Sequence, residues 1–266
     1  VSDYFSGILL LNDNQYNESF KFLKKLNGLE EIHINYSIKY LYSLVNSGNF
    51  NEAFNYSRKL EKHKLDNFET NLIMGVFYLN NSNLELAKKY FLKAKNKNSR
   101  FVLKDYVSNS LYNWSNLRDT NINYAISEVK KLDERFENLK KIQSVFLNCF
   151  YNNLNTNKLF IELNSNKEID FSRYNYFHAS YAASSGKIYD AKDIVQSALK
   201  LYPRNLLLNQ YKIDLNEKNN INVFDCKKEN HVVAELLYIT ANALSSQSLY
   251  PLSNFYLNLA KYLNED

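Results

Sequence analysis

The stretch YNYFHASYAASSGKIYDAKDIVQSALKLYP, from Tyr174 to Pro203, decides the fold class of this chain. It contains two segments of helical length, separated by Ser185 and Gly186, and each has apolar residues at helical spacing. Alanines lie where two such helices would cross, and a proline follows the second segment. The stretch therefore predicts an antiparallel hairpin of two helices.

Similar hairpins recur along the chain with a fixed period. The second helices of the first three carry small residues that are 34 positions apart, namely Ser19, Ala53 and Ala87. Their first helices repeat with the same period of 34 at Gly7, Leu41 and Gly75. A larger side chain at a crossing pushes the helices apart, at a cost of about 1–3 kcal/mol. The period predicts a stack of hairpins in which each covers the apolar face of the next.

The regularity of the spacing divides the chain into three parts. Residues 1–98 predict three regular hairpins, and residues 99–171 predict degenerate ones, with Ala125 coming 38 positions after Ala87. Residues 172–266 predict further hairpins with an irregular insertion near 217–230. Because the chain begins at Val1 inside a helical pattern, we expect it to have been processed or excised from a longer protein.

Composition excludes several classes of protein. Apolar residues make up 45% of the 266 positions, and five Gly with two Pro leave little material for the turns of a sheet-rich fold. The net charge of +5 comes from 33 basic and 28 acidic residues, so the surface carries both signs. The lysine-rich run from Lys88 to Lys104 is read as a solvated face, and no nucleic-acid partner is predicted. No apolar run reaches the length of a membrane span, so no membrane insertion is predicted.

The 34-residue unit resembles the tetratricopeptide repeat (TPR) over nearly the whole chain. A small or apolar residue at the eighth place, an apolar one at the seventeenth and Ala or Ser at the twentieth carry the resemblance. It implies an all-α fold, an α-solenoid of stacked antiparallel hairpins in a right-handed superhelix. The arrangement is also similar to a bacterial group of long TPR proteins exported to the envelope. The cytoplasm and the bacterial periplasm both stay open as compartments for this soluble chain.

The resemblance also implies a binding surface. In the family, first helices line a concave groove that takes peptides or segments of partner proteins. Carried onto this sequence, the groove positions are Tyr4, Ile8, Leu11, Asn12, Ile38, Tyr42, Val45, Asn46, Leu72, Val76, Leu79, Asn80, Tyr176, Ser180 and Ser184. We therefore expect a non-catalytic scaffold that binds a protein or peptide, within a larger assembly. The alternative is the recognition arm of an enzyme or transporter whose active part lies outside this chain.

Three of these positions form a regular series. Asn12, Asn46 and Asn80 recur at the 34-residue period. An asparagine amide can pair with the N–H and the C=O of an extended peptide at once, so a ladder of them could bind a backbone. The structural interpretation is that these residues only end each first helix.

Residues for catalysis or metal binding are sparse. The four histidines are far apart in the sequence, so no metal site is predicted, and no cofactor motif is present. Cys149 and His178 could form a thiol and base pair, but nothing near them indicates an orienting group, and we predict that the chain is not an enzyme. Two cysteines are too few for a disulfide framework. Cys149 is most simply a buried apolar residue, although one bridge to Cys226 stays open.

Overall fold

The structure is a computed structural model that describes residues 2–97, 101–165, 171–217 and 224–264. Within these ranges it contains α-helices, three short 3-10 helices and no strand. The α-helices are α1 (Ser2–Asn12), α2 (Tyr16–Lys24), α3 (Ile34–Asn46), α4 (Phe50–Lys62), α5 (Phe68–Asn80), α6 (Leu84–Asn96), α7 (Val102–Ser115), α8 (Ile122–Lys130), α9 (Glu137–Phe150), α10 (Thr156–Asn164), α11 (Tyr174–Ser184), α12 (Ile188–Leu201), α13 (Leu206–Glu217), α14 (Glu229–Ser245) and α15 (Tyr250–Leu263).

Helices that follow one another in the chain pack together in pairs, among them α1 with α2, α5 with α6, and α11 with α12. The predicted all-α fold is confirmed, and its packing is consistent with an α-helical repeat. The chain divides into two compact units. Unit 1 combines Val1–Arg118 with Val233–Glu265, and unit 2 is formed by Asp119–Val232. The segment Val233–Glu265, which contains α15, therefore belongs to the same unit as the first 118 residues.

The predicted crossing residues lie inside the hairpins. Ser19, Ala53, Ala87, Ala125 and Ala191 have no exposed surface. In the first hairpin the Ser19 hydroxyl donates a hydrogen bond of 2.8 Å to the Gly7 carbonyl. In the last hairpin, the Ser253 hydroxyl donates a bond of 2.8 Å to the Ala241 carbonyl, across the same interval of twelve residues. The small side chain therefore lets the second helix approach the backbone of the first.

A second pair of positions in each of the first three hairpins combines one small residue with one large one. A Cβ added to Gly7 would lie 2.7 Å from two side-chain atoms of Leu23. One added to Gly75 would lie 2.3 Å from the nearest ring atom of Phe91. In the hairpin between them the order is reversed, because buried Leu41 and Ser57 occupy the corresponding places. The combined volume of the two side chains therefore matters more than which of the two helices carries the larger one.

The turns inside six hairpins share one backbone geometry. A residue of positive φ lies in each, at Asn14 (60°), Gly48 (79°), Ser82 (57°), Asn152 (52°), Gly186 (79°) and Ser248 (60°). The N–H of the residue that follows bonds to the carbonyl five residues earlier, at 2.8–3.1 Å. This is the 6→1 bond that closes a helix in a Schellman motif. The turn predicted at Ser185 and Gly186 is confirmed, and α9–α10, in the stretch predicted to be degenerate, has the same turn.

Candidate functional site

The last helix of the chain lies against first helices of unit 1. Helix α15 packs on α1, α3 and α5, and we call the side of those three helices that it contacts the first-helix face. The sequence YPLSNFYLNLAKYL makes α15 amphipathic, with apolar residues three and four positions apart on one side. Phe255, Tyr256 and Leu259 are almost completely buried. The Phe255 ring lies 4.8 Å from the Tyr42 ring, between centroids.

Asparagine side chains supply the polar contacts between α15 and the early helices of unit 1. The Asn46 amide donates a hydrogen bond of 2.9 Å to the Pro251 carbonyl in the first turn of α15. Asn258 donates to the Asn46 side-chain oxygen at 3.5 Å, and Asn254 donates to the Tyr16 hydroxyl. Asn46 thus makes the type of backbone contact expected of the asparagine ladder, but it makes that contact with its own chain.

The predicted groove residues of unit 1 differ in accessibility. The buried ones are Leu11, Tyr42, Val45, Leu72, Val76 and Leu79, and the half-buried ones are Tyr4, Ile8, Ile38 and Asn46. Asn12 and Asn80 are exposed, and each of the three ladder asparagines is the last residue of its helix. Burial and the nearby Glu69 carboxylate raise the pKa of Tyr42 well above its usual value. A partner could therefore reach the ends of α1 and α5 but not Tyr42.

A buried carboxylate that the sequence analysis did not single out joins three first helices. Glu69 in α5 accepts a hydrogen bond from the Tyr42 hydroxyl of α3 at 3.2 Å. Its Oε1 atom also forms an ion pair of 2.7 Å with the Lys104 ammonium of α7. The Oε2 atom of Glu69 is buried without a hydrogen-bond partner among the described residues. An acidic residue in the first turn of a helix is ordinarily explained by the helix dipole, so the sequence carried no signal for this role.

In unit 2, a short segment before α14 contacts Ser180, one of the three predicted groove residues of this unit. The Ser180 hydroxyl donates a bond of 2.9 Å to the Phe224 carbonyl. The Phe224 ring lies 5.3 Å from Phe146 of α9 and 4.5 Å from Phe177 of α11, between centroids. Tyr176 is buried against Tyr211, whereas Ser184 is exposed.

A disulfide holds this segment in place. Cys149 of α9 is bonded to Cys226, with the two Cα atoms 6.0 Å apart. Both residues are buried, which confirms the burial predicted for Cys149, and the bridge to Cys226 that the sequence left open is present. The sulfur of Cys149 is therefore not a free thiol that His178 could activate.

The side chain of His178 is buried and packs against neighbouring side chains. Its Nε2 atom lies 2.7 Å from the side-chain oxygen of Asn157, and its ring stacks on Phe160 at 5.1 Å between centroids. Burial lowers the pKa of His178 to about 4, so the imidazole is neutral at physiological pH.

The lysine-rich run is largely engaged with other side chains. Ion pairs join its members to acidic residues earlier in the chain, namely Lys93 with Glu61, Lys97 with Asp66 and Lys104 with Glu69. The ammonium groups of Lys89 and Lys95 lie over the rings of Tyr90 and Tyr112. Arg100 lies outside the described residues. These contacts favour the interpretation of the run as a solvated face with paired charges.

The described residues contain neither a candidate metal site nor a candidate membrane span. No group of three His, Cys, Asp or Glu side chains there is placed to hold a metal ion. None of the described helices has both the length and the apolar character that crossing a bilayer requires. Models of known protein families and the curated proteins were also compared with the chain, and none of them matches it.

Proposed function

We propose that the chain is a non-catalytic scaffold that binds a segment of a partner protein along its first helices. The proposal rests on the packing of α15 against the first-helix face. The first-helix face holds an amphipathic helix through aromatic contact and through the bond from Asn46 to a backbone carbonyl. A partner segment would use the same two kinds of contact.

The proposed architecture is a TPR-like α-solenoid with a right-handed superhelix. The 34-residue period, the buried small residues at the crossings and the shared turn geometry support it. In such a stack the first helices lie side by side and present one continuous surface. Binding would then need little rearrangement of the backbone.

The proposal of a non-catalytic role rests on the two residues that could have formed a nucleophile and its base. Cys149 is committed to a disulfide, and His178 is buried between Asn157 and Phe160. If the chain instead serves as the recognition arm of a larger enzyme or transporter, the same face would contact the catalytic or transport subunit.

Affinity capture with designed variants tests the proposal. The accessible first-helix residues Tyr4, Asn12 and Asn80 are replaced together by alanine, because replacement of buried Tyr42 would disturb the fold. The matched control replaces the same residue types at exposed positions of second helices, namely Tyr189, Asn17 and Asn55. We expect a partner that the wild type and the control retain and the first-helix variant loses. Equal retention by all three proteins would contradict the proposal.

The disulfide between Cys149 and Cys226 indicates the kind of compartment in which the protein resides. Disulfides persist in oxidising compartments and are rare in the reducing cytosol. Of the two alternatives left open by the sequence, we therefore propose the bacterial periplasm. Alkylation of free thiols in intact cells, followed by mass spectrometry, should find Cys149 and Cys226 unmodified. Modification of both residues in the native cell would contradict the assignment.

A further inference from the structure

We infer that the first-helix face of unit 1 is a receptor for an amphipathic α-helix, that α15 is its internal ligand, and that a partner helix with the pattern of α15 binds by replacing it. This inference rests on the proposed function and specifies the kind of partner segment.

The apolar contacts of α15 define the pattern that a partner helix would need. Phe255 and Tyr256 form an aromatic pair, and Leu259 and Leu263 follow at intervals of one turn, all of them buried. On the other side of the same helix Leu257 and Lys261 are exposed. Beyond Tyr250, these two residues mark a narrow exposed stripe, and the other residues of α15 are buried or half-buried, as in the binding of a helix in a groove.

The polar contacts favour a helix over an extended peptide. An extended strand leaves backbone groups free along its whole length, and a ladder of asparagines could bind them. Of the three ladder residues, Asn12 and Asn80 are exposed, whereas Asn46 bonds to the carbonyl of Pro251. That carbonyl lies in the first turn of α15, and the other asparagine contacts of α15 are made by its own side chains. The face thus recognises one end of a helix and its apolar side.

The short link between α14 and α15 determines how strongly α15 competes with a free helix for the first-helix face. Helix α15 is joined to α14 by an exposed turn that includes Gln247 and Ser248. A ligand held by so short a link acts at an effective concentration in roughly the millimolar range. A free helix of equal affinity would therefore bind only weakly while the link is intact, and cutting the link should reveal the site.

Cleavage of the full chain tests the inference. A protease site is inserted between Gln247 and Ser248, at an exposed turn that should tolerate it, and the folded protein is then cut. A fluorescent peptide covering residues 249–264 is added and its polarisation is measured. We expect saturable exchange into the cleaved protein and binding at least about 100-fold weaker to the uncut chain. Fluorescence of Trp114, the single tryptophan and a buried residue of unit 1, reports whether the cut protein stays folded.

Two altered peptides serve as controls. A peptide with Phe255→Ser and Leu259→Ser should bind about 30-fold or more weakly, because both side chains are buried in the docked helix. A peptide with Lys261→Gln, altered on the exposed side, should stay within about 3-fold of the wild-type peptide. Failure of the peptide to exchange, or equal binding of all peptides, would overturn the inference.

An uncut variant covers the case in which cleavage unfolds the protein. Replacing the half-buried Asn254 and Asn258 with alanine removes polar contacts of α15 but leaves its apolar side intact. This variant should bind the wild-type peptide more tightly than the uncut wild type does, and unchanged binding would overturn the inference. If the capture experiment yields a partner but the peptide fails to bind, only the helix inference fails. If the peptide exchanges but no partner depends on the first-helix residues, only the proposed function fails.

Discussion

Replacement of Gly75 by alanine should destabilise unit 1 although alanine is the better helix former. The new Cβ would lie 2.3, 2.5 and 2.9 Å from three ring atoms of Phe91, a side chain with no exposed surface. Overpacking of this kind costs about 1–3 kcal/mol, and the higher helix propensity of alanine returns about 1 kcal/mol. Because all three distances are below 3.0 Å and the ring is buried, the cost should lie in the upper half of that range, about 2–3 kcal/mol, which leaves a net loss of about 1–2 kcal/mol in the free energy of unfolding.

Urea unfolding followed by Trp114 fluorescence measures this loss, because the only tryptophan of the chain lies buried in unit 1. The midpoint should fall by roughly 0.5–1 M for a domain of this size. An exposed substitution in the same unit, Asn55→Ala, should change the free energy by less than about 0.5 kcal/mol. An unchanged or raised midpoint for the Gly75 variant would refute the close contact with Phe91.

A double replacement tests the exchange of large and small residues between hairpins. Gly75→Leu combined with Phe91→Ser copies the pair formed by Leu41 and Ser57 in the preceding hairpin. Each single change should be severe, since one overfills the crossing and the other leaves a cavity. The double variant should be more stable than the sum of the two losses predicts, by at least about 1 kcal/mol. Strictly additive losses would show that the two places are not coupled.

Four other perturbations have defined outcomes. Glu69→Ala leaves the Lys104 ammonium without its carboxylate and should cost about 2–3 kcal/mol by the Trp114 assay; a loss below about 0.5 kcal/mol would contradict the role of Glu69. His178 has a pKa of about 4 in the folded state and about 6.5 in the unfolded state. Between these pH values the unfolded state binds more protons, so the free energy of unfolding falls by about 3 kcal/mol as the pH drops from 6.5 to 4. His178→Phe should lose this part of the pH dependence in thermal unfolding, and a variant with the wild-type slope would contradict it. The disulfide spans 77 residues, and its reduction should lower the free energy of unfolding of unit 2 by about 4 kcal/mol. Unfolding followed by near-ultraviolet circular dichroism measures this loss, and unfolding followed by Trp114 fluorescence should show a smaller one. Ala191→Leu should lower the melting temperature through a loss of about 1–3 kcal/mol at the crossing of α11 and α12, and an unaltered temperature would refute that crossing.

Residues whose contacts lie within one hairpin could be identified from the sequence. The crossing residues could be found because their size is limited by a neighbour at a constant separation along the chain, which leaves a period of 34. The turn at Gly186 could be found because glycine favours positive φ. The positive φ of Ser248 was not predicted, since serine rarely adopts that conformation and the hairpin around it imposes it.

The sequence by itself determined the helical class, the hairpin as the unit of packing and the residues at the crossings, because these depend on contacts between positions close in the chain. Only the tertiary structure decided that α15 lies on the first-helix face, that Glu69 joins three helices and that Cys149 is bonded to Cys226. In each of these cases the partners come from different hairpins or from distant parts of the chain. An amphipathic pattern states that one side of α15 must be buried, but it does not state which surface will bury it.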